Sequence, residues 1–311
     1  MTGITFQAKA NPQLYTIEIQ NFNAMLTLLL ATDFSANSKA AAKYGYQLAV
    51  QTKANVVLCN AVIVPAEVPQ ADMALWPADE FDLLIHDSEE VLKDFKKELE
   101  ALAPTDGFKP KITCITEPGL VTDVLASTAA KHHADIIITG THSGGNLSRF
   151  LVGDHASQLI ENSQLPVLII PANPSLQPIR KIAFATELVN MERDLKPICD
   201  LITWGKLLNA EIIITHIADE KYEAFKYQKE LAESLLGLAD KSHFPDIHYR
   251  MIKDNKVEDG LEWLSEHGQL DMLAMVHQHR NLFTELFGHS HTKKMAANLQ
   301  LPLMVFPALT H

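Results

Sequence analysis

Five short apolar runs in the first half of the chain return in the same order as five in the second. This repeat restricts the chain to two copies of one architecture. The first set is Leu26–Ala31, Val56–Val62, Lys111–Ile115, Ile136–Thr139 and Val167–Ile170. The second is Lys181–Ala185, Glu211–Ile217, Ile247–Ile252, Met272–Val276 and Leu303–Phe306. Each run is rich in Val, Ile and Leu, and segments of helical period separate them. That alternation is the pattern of βαβ units on a parallel sheet.

The offsets between the copies locate a difference. Ala31-Thr32-Asp33 and Ala185-Thr186-Glu187 stand 154 residues apart, and Asn60 and His216 stand 156 apart. From Leu125 and Leu261 onward the offset is 136, which also relates His133-Ala134-Asp135 to Gln269-Leu270-Asp271 and Pro166–Pro171 to Pro302–Pro307. The second copy is therefore 20 residues shorter. The difference falls where the first copy carries Pro65–Asp79, with three prolines and Trp76, and predicts an extra surface loop there. The expected organisation is an N-terminal arm over 1–22, a first domain over 23–172, a linker at Ala172–Pro178 and a second domain over 179–308. Within the arm, Tyr15-Thr-Ile-Glu-Ile alternates like a strand, open to a sheet edge, a dimer contact or an ordered arm. Prolines at both ends of the last strand of each copy predict a short edge, suited to pairing of the two domains.

Composition narrows the function classes. A formal net charge of -12 opposes binding to phosphate backbones, and Lys93–Lys97 and Lys293-Lys294 fit solvated helix faces. The apolar run Ala24–Ala31 is too short to cross a bilayer and lacks a signal-peptide flank, so the expected location is cytoplasmic. The three cysteines, Cys59, Cys114 and Cys199, are widely spaced and read as small buried hydrophobes rather than disulfide or metal ligands. His277, His279, His289 and His291 cluster in the second copy without a thiolate or fixed ligand spacing, and are expected to be polar surface residues.

In an open parallel sheet, ligands bind beyond the carboxyl ends of the strands where strand order reverses. The residues in that position in the first copy are Ala31-Thr32-Asp33-Phe34-Ser35, with Ser35 a predicted N-cap for a helix over Ala36–Gln51, and the stretch from Gly140 to His155. Gly140, Gly144, Gly145 and Gly153 let backbone come close to an anion ahead of a helix start. Asp33 with His142 or His155 is a candidate acid and base set near this crevice, with no motif that fixes its geometry. The sequence has no Walker, dinucleotide-binding, zinc-protease or nucleophile-elbow motif.

The order of elements, the Thr32-Asp33-Phe34-Ser35 turn, Ala134-Asp135, the Gly140–Gly153 loop and Leu165-Pro166-Val167-Leu168 together resemble the universal stress protein family as a tandem pair. The resemblance implies two Rossmann-like α/β domains of the adenine nucleotide alpha hydrolase-like kind. Each would be a five-stranded parallel sheet of order 3-2-1-4-5 flanked by helices. It implies a non-catalytic stress-response or regulatory protein whose two domains pair within the chain, with a homodimer a further expectation. It also implies ATP or another adenine nucleotide in the first domain, with Mg only alongside the nucleotide. The family loop runs Gly, two residues, Gly, nine residues, Gly, then Ser or Thr. Here those positions hold Gly140, Ser143, Gly153 and Asp154, so the second and fourth depart. Asp154 places a carboxylate where a hydroxyl would meet phosphate, and Arg149 offsets part of that charge. Ala31, Thr32, Asp33, Ala61 and Thr139 complete the implied nucleotide-binding set, with Ser143, Gly144, Gly145 and His155 from the loop side. In the second copy only Gly288 survives and Glu187 replaces the acidic turn residue, so no such site is expected there. A nucleotide hydrolase in the first crevice and a ligand-free interaction module remain the competing classes.

Overall fold

The computed structural model describes residues 2–7, 14–19, 25–63, 78–141, 154–186, 191–218, 242–253, 257–277 and 301–307. The chain divides into two compact units. One comprises Met25–Gly145 and Val152–Leu176, and the other Gln177–His311 with Met1–Ala24.

The second unit begins in sequence with a hairpin of β1 (Thr2–Gln7) and β2 (Leu14–Ile19), paired antiparallel with Ile4 opposite Ile17. The alternation from Tyr15 marks β2 as a strand, and in its partner β1 the apolar Ile4 and Phe6 alternate with polar neighbours in the same way.

In the first domain, β3 (Thr27–Ala31) lies between β4 (Asn55–Val62) and β6 (Ile136–Gly140). β5 (Ile112–Pro118) flanks β4 and β7 (Val167–Ile170) flanks β6. All pairings are parallel, and the order β5-β4-β3-β6-β7 is the expected 3-2-1-4-5. The second domain repeats it. β8 (Lys181–Thr186) is central between β9 (Glu211–Ala218) and β11 (Met272–Val276), with β10 (Ile247–Lys253) and β12 (Leu303–Phe306) outside them. The fold is thus two Rossmann-like α/β domains.

Continuous burial explains why the strands read as unbroken apolar runs: Leu28, Leu29 and Leu30 are all fully covered, because a central parallel strand is packed on both faces. Helices α1 (Ala36–Thr52), α2 (Ala78–Glu100), α3 (Val121–Lys131) and α4 (Asp154–Asn162) belong to the first domain. α5 (Met191–Leu208) and α6 (Val257–His267) belong to the second. Lys93, Lys96 and Lys97 pair along α2 with Glu90, Glu100 and Asp94, as a solvated helix face should. The extra loop expected at Pro65–Asp79 lies almost wholly outside the described residues, and α2 starts at its end.

The repeat extends to backbone detail. Lys53 and Asn209 both take left-handed φ angles of 56° and 52° at the ends of α1 and α5, and His133 and Gln269 do the same at 50° and 51°. Proline carbonyls serve the same ladder position in both copies: Ile137 N–H donates to Pro166 and Leu273 N–H to Pro302, each at 3.0 Å. Among the described residues no helix is long and apolar enough to cross a membrane. Burial pushes the Cys59 thiol up to about 11 and the Cys199 thiol up to about 12, so both stay protonated at neutral pH.

The Asp135 and Asp271 match has a structural meaning. Asp135 Oδ2 accepts the Thr27 N–H at 2.8 Å, and Asp271 Oδ2 accepts from Arg180 and Lys181 at 2.8 and 2.9 Å. Each carboxylate thus closes the amino end of its central strand, far from any carboxyl-end crevice. Burial raises the Asp135 pKa and the Thr27 hydrogen bond only partly offsets it. A raised folded pKa means that its contribution is fully present below the unfolded pKa and is lost as pH rises through the folded value. Asp135→Asn keeps an acceptor and removes the half-buried charge, so its melting temperature at pH 7 is expected to match or exceed the native one. Asp135→Ala strands the Thr27 N–H at a cost of about 1–3 kcal/mol. Equal thermal melts for the two variants would disprove this role.

Candidate functional site

The carboxyl ends of β3, β4 and β6 meet the first turn of α1, and this is where strand order reverses. Thr32 follows β3 and uses every polar group it has. Its N–H donates to Cys59 at 2.9 Å. Its carbonyl accepts from Asn60 Nδ2 at 2.8 Å. Its hydroxyl lies 3.1 Å from Ser38 Oγ and accepts the Phe34 N–H at 3.0 Å. Thr32 is buried, so it shapes the crevice rather than facing it.

Asp33 is exposed and differently placed. Its Oδ1 accepts the Ser35 N–H at 3.0 Å, and its own N–H donates to Ser38 Oγ at 3.3 Å. Partial burial raises its pKa, but the hydrogen bonds from Ser35 and Ser38 more than reverse this, and the net shift is downward. The carboxylate is anionic at neutral pH and held in orientation. Phe34 then takes φ 63°, a left-handed turn that lets the chain enter α1. Ser35 caps that helix as the sequence predicts, its hydroxyl accepting from Ser38 N–H at 3.2 Å.

On the other side of the switch point, Gly140 ends β6 with ordinary strand geometry. A Cβ there would come within 2.8 Å of the Asn37 carbonyl oxygen. The glycine is therefore required by the close approach of α1, a role that the spacing of the loop does not reveal. Asn37 reinforces the contact by donating from Nδ2 to the Thr141 carbonyl at 2.9 Å. Thr139 and Ala61 are half-buried, Ala61 opposite Glu117 near the end of β4. Ala31 is buried as the last residue of β3. Six of the twelve implied site residues, Ala31, Thr32, Asp33, Ala61, Thr139 and Gly140, therefore stand at the carboxyl ends of three adjacent strands. Ser143, Gly144, Gly145 and Gly153 lie outside the described residues, as does His142. Asp154 and His155 open α4.

The second domain has kept the frame and changed its contents. His216 occupies the place of Asn60, and its Nδ1 lies 3.0 Å from the Thr186 carbonyl oxygen, repeating the Asn60 contact with an imidazole. Val276 stands where Gly140 does. His277 is 5% exposed, so it is a buried residue and not the polar surface histidine that its neighbourhood suggested. It follows β11 directly, and its N–H donates to the Phe306 carbonyl at 2.8 Å, which is what draws it inside. His279, His289 and His291 lie outside the described residues. Among the described residues no group of three or more His, Cys, Asp or Glu is placed to hold a metal ion.

A groove of about 400 Å³ opens elsewhere in the first domain, between α3 and α4, lined by Ala126, Ala130, His133, Leu159 and Leu165 among others. It reaches Ala134 and Ile137 at the amino end of β6, so it is distinct from the crevice at the carboxyl ends.

Comparison with known proteins places this geometry. A universal stress protein of Methanocaldococcus jannaschii is 29% identical over 148 residues, covering 48% of this chain and 83% of that protein. A second from the same organism is 29% identical over 157 residues, 46% of this chain and 93% of the other. The crystal structure of a universal stress protein from Archaeoglobus fulgidus superposes with a TM-score of 0.68 at 14% identity. It spans 90% of this chain and 98% of its own, and shows likeness of fold. The model of the universal stress protein family matches residues 25–171, the whole first domain with its crevice. The family match is to the first domain: residues 25–171 are similar to the universal stress protein family along their whole length.

Proposed function

We propose that the first domain is an adenine-nucleotide-binding regulatory module of the stress response, without turnover, and that the second domain is its built-in, degenerate partner. The observation that carries this reading is the Asp33 carboxylate: exposed, ionised, and fixed through one oxygen at the point where strand order reverses. A fixed acceptor of that kind suits the two hydroxyls of a ribose, and hydrogen bonds to charged groups contribute about 1.5–3 kcal/mol. The half-buried Ala61 at the end of β4 offers a flat apolar wall to a base, and beyond the Gly140 end of β6 the chain reaches the start of α4, where free N–H groups attract phosphate and the charge of Asp154 opposes it.

Titration calorimetry with ATP and ADP in the presence of Mg²⁺ tests the proposal. The expected result is one nucleotide bound per chain and no release of inorganic phosphate over hours. Asp33→Ala is expected to weaken binding roughly tenfold or more, the equivalent of one charged hydrogen bond. Absence of heat with either nucleotide would leave a ligand-free interaction module, and steady phosphate release a hydrolase.

A further inference from the structure

Two asparagines brace the crevice from opposite sides, and neither is part of any motif in the sequence. Asn60 is 5% exposed near the end of β4, and its Nδ2 donates to the Thr32 carbonyl at 2.8 Å. Asn37, in the first turn of α1, donates to the Thr141 carbonyl at 2.9 Å. These two carbonyls stand where β3 and β6 leave the sheet, so the regular ladder no longer supplies donors. A neutral amide satisfies such a carbonyl without adding charge beside an anionic ligand.

The second domain shows which property of the side chain matters. At the place of Asn60 it carries His216, and the contact from Nδ1 to the Thr186 carbonyl is retained at 3.0 Å. A carbonyl only accepts, so Nδ1 carries the proton in that contact. Two side chains that differ in size, shape and titration share one ability, donation to the carbonyl after the central strand.

We infer that Asn60 and Asn37 are positioning residues of the nucleotide site. They hold the Thr32 and Thr141 carbonyls so that the Asp33 turn and the start of the Gly140 loop are set before a ligand arrives. This inference rests on the proposal that the first domain binds an adenine nucleotide. Preorganisation acts by lowering the ordering cost of binding, so loosening a brace is expected to weaken affinity without removing any ligand contact.

The test compares Asn60→Ala, Asn60→Asp and Asn60→His in the full chain. Two readouts are taken, ATP affinity by calorimetry and amide hydrogen exchange at Asp33, Phe34 and Ser35. Alanine removes the donor, and aspartate keeps the shape but offers only acceptors. Both are expected to weaken ATP binding about tenfold, the worth of one hydrogen bond, and to speed exchange at the turn by a similar factor. Exchange in the buried strand residues Leu29 and Leu58 is expected to stay native. Histidine, the donor that the second domain uses, is expected to restore both readouts.

Native exchange and native affinity in Asn60→Ala overturn the inference. So does failure of Asn60→His to rescue, which would make Asn60 a space filler. Should the native chain bind no adenine nucleotide, the functional proposal falls, and exchange at the turn still decides whether the brace exists. If Asn60→Ala does not fold, Asn37→Ala replaces it, because Asn37 is only half-buried and its loss is read at the Thr141 amide.

Discussion

Gly140→Val is expected to lower the melting temperature of the first domain by about 10 °C, equivalent to roughly 3 kcal/mol of overpacking for a domain of this size. The physical reason is that the obstruction is backbone. A Cβ at this position would sit 2.8 Å from the Asn37 carbonyl oxygen and 3.0 Å from its carbon, and a carbonyl in the first turn of a helix cannot rotate away as a side chain can. Relief requires α1 to withdraw from β6, which breaks the 2.9 Å bond from Asn37 to Thr141. The second domain already holds Val276 at this place, 7% exposed and packed in β11 against β12. The reverse change, Val276→Gly, is therefore expected to destabilise as well, by about 1.5–3 kcal/mol of lost burial. The two domains have settled into different packings at one equivalent position, so neither residue is interchangeable with the other. Calorimetric melting of both variants checks this. A Gly140→Val melt within about 2 °C of native would show that α1 yields freely.

That pair of residues also shows what the sequence discloses and what it withholds. Strand identity was legible because a parallel strand buried on both faces must be apolar at every position, so runs such as Leu28-Leu29-Leu30 announce themselves, whereas the order of the strands in the sheet came from the family resemblance. The repeat was legible because equivalent backbone positions need equivalent residues, down to the carboxylates Asp135 and Asp271 that close the central strands. Ser35 was legible as an N-cap because capping is local chemistry. The bracing asparagines were not, because Asn60 and Thr32 are 28 residues apart and their contact exists only once β3 and β4 are aligned. Gly140 was assigned to a phosphate loop by its spacing, whereas its first duty is to admit α1, again a matter of packing across 103 residues of chain. His277 misled for the same reason: a polar residue among polar neighbours is drawn inside by the ladder bond to Phe306. Local rules are written in the sequence, and contacts made by tertiary alignment are not.

Asp154→Ser is the second large effect, expected to tighten Mg²⁺-ATP binding by tenfold to a hundredfold. α4 begins at Asp154, and a carboxylate in the first turn of a helix is generally favoured by the positive end of the helix dipole, an effect typically worth about 0.3–1 kcal/mol. The same placement is adverse once a triphosphate arrives. Two unit charges 4 Å apart interact by about 1 kcal/mol in bulk water and about 4 kcal/mol at an effective dielectric near 20, so one carboxylate beside several phosphate charges costs at least a factor of ten. Serine removes the charge and returns a hydroxyl that can donate to phosphate. Asp154→Asn separates the two contributions, since it removes the charge and keeps the size. If charge dominates, asparagine recovers most of the gain; if the hydroxyl matters equally, serine exceeds it clearly. Electrostatics also predicts that raising salt narrows the gap between native and variant, because screening weakens the repulsion in one and leaves little to weaken in the other. A modest fall in the melting temperature of ligand-free Asp154→Ser is expected alongside, as the helix start loses its favourable charge. Equal affinity of native and Asp154→Ser for ATP, at low salt, would mean that the helix start does not approach the phosphates, and the nucleotide would then be held by the Asp33 side of the crevice alone.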